Sequence, residues 1–337
     1  MADSKNYSIA TLGSHSALQI LKGAKDEGFK TIAVVKKGYE EPYRSYRVAD
    51  EIISIDEYPD FNGLEQELID KNAILIPHGT LFAACSVDQL EQNKMLYFGD
   101  KQVLRLEESR VKQRQWLLDS GLTMPKIFDK AEDIDRPAII KFNGAGGGKG
   151  YFLAKNKTEF EDKIQEHKDV KYMIQEYIIG NPIYVHYFYS PLTDELEIMS
   201  MDKRYETNVD SIGRISAQDQ LDLHLQTSYN IIGNIPIVAR ESMLAEFFRM
   251  GRQVVDKSKE LTEKGMFGPF CLEMVVTPDM EYFVFEISAR IVAGSNPYVD
   301  GSPYTALRYS EPMSTGRRIA REIKNAIEQD KLDEVTG

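Results

Sequence analysis

Lys141-Phe142-Asn143-Gly144-Ala145-Gly146-Gly147-Gly148-Lys149-Gly150 follows the apolar run Pro137-Ala138-Ile139-Ile140 and precedes Tyr151-Phe152-Leu153. Five glycines between two strand-like runs predict a hairpin whose tip lays backbone N–H groups over a polyphosphate. No helix follows directly, so the Rossmann and P-loop readings, which need a strand running into a helix N-terminus, are disfavoured. The bland alternative is a plain glycine-rich turn. Two features favour phosphate: Lys141 ends the preceding strand as a point charge suited to a phosphate oxygen, and an acidic pair far downstream is placed to carry a metal. Together they point to a Mg-nucleotide site.

That pair is Glu273, in Phe270-Cys271-Leu272-Glu273-Met274-Val275-Val276, and Glu286, in Tyr282-Phe283-Val284-Phe285-Glu286-Ile287-Ser288-Ala289-Arg290. Both segments are short, apolar and aromatic, and Thr277-Pro278-Asp279-Met280 supplies a turn, so an antiparallel hairpin is expected. A carboxylate on each of two adjacent strands can bridge hard cations held by a nucleotide, because Mg²⁺ takes one or two protein carboxylates plus phosphate and water. Arg290 follows Glu286 closely enough to reach a terminal phosphate bidentately. Either acid alone reads as a solvated sheet residue; with Lys141 and Arg290 the set reads as a metal and phosphate site.

Gly13-Ser14-His15-Ser16 follows the first apolar strand and opens a helix, where backbone N–H groups and the helix dipole favour an anion. Pro77-His78-Gly79-Thr80 ends another strand of the same unit, so the Thr80 hydroxyl is offered to the same ligand. A cap or turn is the alternative for each. His78 and His186 are read as structural.

The 337 residues, 42% hydrophobic and 28% charged, are globular in composition and enough for two or three packed units. With 41 basic against 53 acidic residues, a net charge of −12, the chain has no broad attraction to nucleic acid or anionic lipid. Phosphates must therefore be bound at local sites. The two cysteines, Cys85 and Cys271, lack metal or redox spacing and fit a reducing cytoplasm as buried small hydrophobes. No secretory leader and no apolar run of membrane-spanning length is read.

Strands over Tyr7 to Thr11, Thr31 to Val35, Glu51 to Ile55 and Ala73 to Ile76 alternate with helices over Ser16 to Glu27 and Leu64 to Asp70. That pattern predicts a small parallel α/β unit with ligand groups at the carboxyl ends of its strands. A helix from Glu107 to Ser120, ended by Gly121, marks the expected boundary. Helices are also expected over Glu159 to Glu166, Glu241 to Leu261 and Arg317 to Ile327, with a strand at Tyr172 to Gln175.

The glycine hairpin, two metal acids and Glu286-Ile287-Ser288-Ala289-Arg290 resemble the ATP-grasp superfamily, the last stretch being similar to its Glu-x-Asn-x-Arg motif with Ser in the Asn place. The likeness narrows at Ile9 to Leu18, Pro77-His78-Gly79-Thr80, Met201-Asp202-Lys203-Arg204-Tyr205-Glu206, Ile232-Gly233-Asn234-Ile235-Pro236, Gly268-Pro269-Phe270-Cys271 and Gly316 to Lys324. These resemble the archaeal formate-dependent ligases that convert aminoimidazole carboxamide ribonucleotide (AICAR) to FAICAR in purine (IMP) biosynthesis, and they span essentially the whole chain.

The resemblance implies an α/β fold with α+β elements: an ATP-grasp fold preceded by a small parallel α/β domain. The expected division is a substrate-binding domain at 1–105, a small lobe with the glycine-rich lid at 106–205, and a large lobe with the metal-binding strands at 206–337. It implies ATP with Mg²⁺, or Mn²⁺ in its place, and AICAR and formate as substrates. It assigns catalysis to Lys141 and Arg290, metal to Glu273 and Glu286, and substrate contacts to Gly13, Ser14, His15, Thr80 (replacing a Ser) and Asn234. ATP falls to Arg110, Lys141, Gly146, Gly147, Gly148, Glu206 and the hinge-like Glu176-Tyr177-Ile178-Ile179, whose backbone would pair with the adenine edge. A symmetric homo-oligomer is expected on general grounds.

The implied chemistry needs no protein nucleophile, and no Ser-His-Asp or Cys-His constellation assembles. A carboxylate has no leaving group, so ATP must phosphorylate formate before the AICAR amine attacks. Asn143 to Gly150 is then expected to act as a lid over the triphosphate. Gly146 and Lys149 stand where the family pattern has Arg, and Val292 and Ala293 where it has an acid and a Gly. These departures leave open a paralogue ligating a different carboxylate or amine. A non-catalytic nucleotide sensor is the alternative from another class, and the intact Lys141, Glu273, Glu286 and Arg290 argue against it.

Overall fold

The computed structural model describes residues 4–142, 151–167, 170–223 and 228–337. The first sheet contains β1 (Ser8–Leu12), β2 (Lys30–Lys36), β3 (Glu51–Ile55), β4 (Ala73–Leu75) and β5 (Leu96–Tyr97). All its pairings are parallel, in the order β3-β2-β1-β4-β5. The uninterrupted burial of β1 and β4 explains why these runs read as continuous apolar stretches rather than alternating ones. From β1 the chain builds outward through β2 and β3, then returns to place β4 on the other side of β1. The crevice beyond the carboxyl ends of β1 and β4 is thus a topological switch point, where such sheets bind ligands.

A second, four-stranded sheet contains β6 (Ile127–Phe128), β7 (Ala138–Phe142), β8 (Tyr151–Ala154) and β9 (Tyr172–Glu176), in the order β6-β9-β7-β8. Lys141 faces Tyr151 across the antiparallel β7–β8 pair, so 143–150 joins two hydrogen-bonded strands as the sequence predicts. The glycine tip itself, with Gly146, Gly147, Gly148 and the expected lid, lies outside the described residues.

The third sheet is antiparallel, in the order β12-β11-β10-β13-β14, from β10 (Asn181–Ser190), β11 (Glu195–Asn208), β12 (Tyr229–Pro236), β13 (Gly268–Val276) and β14 (Tyr282–Ser288). Its buried face shares one core with the first unit: Ile9, Ile20 and Ile74 belong to the same apolar cluster as Val185, Phe188, Leu272, Ile319 and Ile323. The Ala17–Asp26 and Thr315–Glu328 helices close that seam. They cross at Gly23 and Gly316, where an added Cβ would collide with the Arg317 and Gln19 backbones. Only glycine permits the approach.

The helix expected from Glu107 to Ser120 is two helices, Lys101–Glu108 and Arg110–Asp119. Ser109 separates them in extended geometry and caps the second, its hydroxyl accepting from the Lys112 N–H; a capping serine competes with helix continuation at such a place. The expected division after residue 105 therefore falls inside the first of these helices, and that after 205 inside β11, which pairs on both edges. Grouped by sheet, β10 and β11 belong with β12, β13 and β14.

Candidate active site

At the switch point, Gly13 is packed so closely on Val35 and Tyr43 that a Cβ would sit 2.7 Å from Val35 Cγ2. Its turn delivers His15, held at φ 54°, with Nδ1 2.8 Å from Ser16 Oγ. The His15 ring stacks on His78, centroids 5.4 Å apart and planes 6° from parallel. His78 is fully buried. Its Nδ1 accepts from the Thr80 N–H at 3.2 Å, so Nε2 carries the proton and donates to the Leu12 carbonyl at 2.7 Å, a tautomer fixed by its partners. Burial lowers the His78 pKa to about 4. His15 is open to the cleft, yet desolvation by the surrounding protein, then His78, Arg290 and Arg204, lower its pKa to about 3. Both rings are neutral at pH 7. An added Cβ on Gly79 would lie 2.9 Å from His15 Nε2 and 3.7 Å from Arg290 Cζ, so the site residues of the parallel unit meet Arg290 from the far end of the chain.

The second wall is one face of the antiparallel sheet. Directly opposed residues in such a sheet share a face, as do residues two apart on a strand. Asn234 on β12 opposes Arg204 on β11; Asp202, two residues earlier, opposes Tyr184 on β10; Tyr184 opposes Glu273 on β13; Glu273 opposes Glu286 on β14. A single face thus carries an amide, a guanidinium, a phenol and three carboxylates across five strands.

Glu273 is 2% exposed. Its Oε1 takes Arg204 Nη2 at 2.6 Å, with Ser288 Oγ at 3.5 Å, while Oε2 is buried and has no partner among the described residues. Arg204 also lies over the Tyr184 ring, 4.1 Å from its centroid. Burial and the facing Glu286 raise the Glu273 pKa despite Arg204. A buried carboxylate with a free oxygen beside a second, exposed carboxylate is an arrangement that a divalent cation would relieve.

Arg290 follows β14, where the chain has left its strand partner. Glu107 occupies both needs at once: Oε1 lies 3.2 Å from Arg290 Nη2 and Oε2 accepts from the Ala289 N–H at 3.0 Å. Gln113 donates to the Ile287 carbonyl at 2.9 Å. The two short helices around Ser109 therefore satisfy the backbone on both sides of Ser288 and fix the guanidinium, which also stands over Phe82.

On the small sheet, Lys141 Nζ lies 3.4 Å from Gln175 Oε1. Burial, with Arg110 and Arg114, lowers its pKa, and Glu286 opposes them; Lys141, Arg110 and Glu286 are thus in electrostatic reach. The Glu176 carboxylate is already taken by Arg136 Nη1 and the Lys126 N–H, both at 3.0 Å, and the N–H groups of Glu176 and Tyr177 donate to the Lys126 and Pro137 carbonyls, both at 2.8 Å, so a base would meet the hinge through its remaining backbone groups. Tyr177 and Ile179 stand exposed beside it. Glu206 is partly buried next to Arg204, Asp210 and Lys203, and burial raises its pKa.

The structure gathers His15, Arg290, Arg204, Glu273, Glu286 and Lys141 at the meeting of the parallel unit and the antiparallel sheet, with Asn234 in the same row. Thr80 is engaged through its N–H with His78, and Ser14 through its carbonyl, which accepts from Ala17. Sequence reasoning gave no role to Arg204, Glu107 or Asp202. The period-2 spacing Asp202, Arg204, Glu206 was the available signal for two of them; Glu107 gave none.

A family model described as "Domain of unknown function (DUF1297)" matches residues 152–337, and one described as "Protein of unknown function (DUF1246)" matches 9–128. Over 335 residues the chain is 54% identical to the 5-formaminoimidazole-4-carboxamide-1-(beta)-D-ribofuranosyl 5'-monophosphate synthetase of Pyrococcus horikoshii, covering 97% of this chain and 98% of that one. The synthetase of the same name from Methanocaldococcus jannaschii is 44% identical, covering 97% and 94%. Among solved structures, an IMP biosynthesis protein PurP from Thermococcus kodakaraensis superposes with a TM-score of 0.78 at 28% identity, over 98% of this chain and 100% of that one. The ADP complex of purK, an N5-carboxyaminoimidazole ribonucleotide synthetase, gives 0.67 at 15% identity, over 96% and 78%. At that identity the likeness bears on the fold alone.

Proposed function

The chain belongs to the family of 5-formaminoimidazole-4-carboxamide ribonucleotide synthetases, and from that premise we propose that this ATP-dependent ligase of purine biosynthesis joins formate to the amine of AICAR. The observation that carries the reading is the facing Glu273–Glu286 pair with its unpartnered buried oxygen, placed on the sheet face that meets the switch-point residue His15 through Arg204 and Arg290.

Glu273 and Glu286 would hold Mg²⁺, or Mn²⁺; when bound, the cation offsets phosphate charge during transfer. Lys141 and Arg290 contribute fixed positive charge to the same end of the site, Arg290 held in place by Glu107. Arg110, Glu206, the glycines 146–148 and the backbone of Glu176 to Ile179 bind ATP; Gly13, Ser14, His15, Thr80 and Asn234 bind the ribonucleotide. Formate, having no leaving group, is first phosphorylated by ATP to formyl phosphate. The amine attacks the formyl carbon, forming the C–N bond as the C–O bond to phosphate breaks, and the released phosphate takes up the amine proton. Neutral His15 and His78 place no cation on the nucleophile. Homo-oligomerisation is part of the proposal, supported by Ile231, Ile232 and Ile235, exposed on the edge strand β12.

The test is ADP release with AICAR and formate omitted in turn. Release that requires both supports the reading, and release indifferent to formate overturns it. One observation favours a second reading: Val292 is buried in an apolar cluster with Tyr184 and Cys271, where the family pattern has an acid. A paralogue ligating a different carboxylate or amine would release ADP only with that other substrate.

A further inference from the structure

Resting on that reading, we propose that Asp202, backed by His186, is a positioning residue that turns the Asn234 amide so that its oxygen faces the cleft, and that the site thereby selects a base carrying an N–H donor. A carboxylate offers only acceptors. The Asn234 side chain therefore turns Nδ2 toward Asp202 Oδ2, at 2.8 Å, and Oδ1 is the end left for a ligand. An amide free to turn would serve a donor or an acceptor equally; this one cannot.

Asp202 is itself locked. Its Oδ1 takes the proton on His186 Nε2 at 2.7 Å, with both residues buried. Gly294 lies against the pair so tightly that an added Cβ would collide with Asp202 Oδ1 and stand 2.8 Å from His186 Cε1. The far ring nitrogen, His186 Nδ1, is buried with no partner among the described residues. A buried polar network that leaves an atom unpaired lowers stability relative to an apolar core. What it maintains is the orientation of Asn234, which is partly exposed and faces Arg204 across the β11–β12 pair. AICAR carries two candidate donors, the amine and the carboxamide N–H₂, and both belong to the same chemistry.

A site built around one hydrogen bond rejects the analogue that cannot make it far more strongly than a shape-selective pocket does. Equilibrium binding is therefore compared for AICAR, for the analogue with carboxylate in place of carboxamide, and for the analogue with hydrogen in place of the amine. The wild-type protein is expected to disfavour at least one analogue by on the order of 10²-fold, and which one identifies the donor. In Asp202→Asn the amide of Asn234 can reverse, so that preference should shrink by about tenfold or more, at unchanged ATP affinity. Asn234→Ala removes the reader itself from a partly exposed edge position and should show the same collapse, even if the Asp202 variant does not fold. Discrimination that survives in Asn234→Ala, or is missing from the wild type, overturns the inference while leaving AICAR binding intact. Failure of the wild type to bind AICAR overturns the parent reading and this inference with it.

Discussion

His78 and Glu273 are equally buried, one at the carboxyl end of β4 and the other in the middle of β13, and they differ in one respect. Both ring nitrogens of His78 have backbone partners, whereas one oxygen of Glu273 has none among the described residues. The first is a finished piece of structure: it caps the short Gly79–Ala84 helix, ties the end of β1 to the segment after β4 and gives His15 a flat surface to stack on. The second is unfinished, held by Arg204 on one side and facing another acid on the other. Burial of a polar group is thus no sign of a binding site by itself. An unsatisfied carboxylate oxygen that faces a second carboxylate points to one, because leaving it so costs about 1–3 kcal/mol or more and a cation can satisfy both acids at once.

If that contrast is right, the largest effect belongs to the unfinished side. Glu286→Gln should keep the fold, since Glu286 is exposed, and lower ADP formation by on the order of 10²-fold or more. Unchanged turnover at saturating Mg²⁺ would return Glu286 to the solvated face of a sheet. Glu107→Gln comes next. It keeps an acceptor for the Ala289 N–H but removes the charge that fixes Arg290, so kcat should fall by about tenfold with the apparent KM for AICAR little changed. A KM effect without a kcat effect would place Arg290 away from the phosphates. On the finished side, His15→Ala should raise the KM for the ribonucleotide by roughly tenfold, one hydrogen-bonding or stacking contact, and leave that for ATP unmoved. Equal changes in both would make His15 a turn residue only.

The same contrast explains what was legible in the sequence. The Glu273–Glu286 hairpin and the β1 and β4 switch point could be read because each is set by local spacing: alternation, turn residues and short apolar runs within a few tens of residues. Arg204 lies 69 residues from Glu273, and Glu107 lies 182 from Ala289. Their roles depend on strand register and helix placement, which no local pattern encodes. Gly294 was invisible for a related reason, since the close approach to Asp202 that leaves no room for a Cβ exists only after β11 and the segment beyond β14 have met. The break at Ser109 was missed because helical periodicity runs through it, while the cap that decides it is a single hydroxyl.

The smallest effect is also the one that separates the two regions by sign. The folded-state pKa of His78 is lowered to about 4, so between that value and the ordinary histidine value of about 6.5 the unfolded chain binds a proton that the native state refuses. Stability then rises with pH across this window. Glu273 is the reverse: its pKa is raised, so above the ordinary carboxylate range the native state holds a proton that the unfolded chain has lost, and stability falls as pH rises toward neutrality. Without a metal the two slopes oppose each other, each bounded by about 1.4 kcal/mol per pH unit. In Glu273→Gln the falling component disappears, and urea unfolding between pH 5 and 6.5 should show stability lost on acidification more steeply than in the wild type. Mg²⁺ requires the ionised carboxylate, so its thermal stabilisation of the wild type should grow as pH rises, and should be flat in the variant. Parallel pH profiles for the two proteins would mean that Glu273 carries no native-state proton, and the difference between the satisfied and the unsatisfied side chain would lose its energetic content.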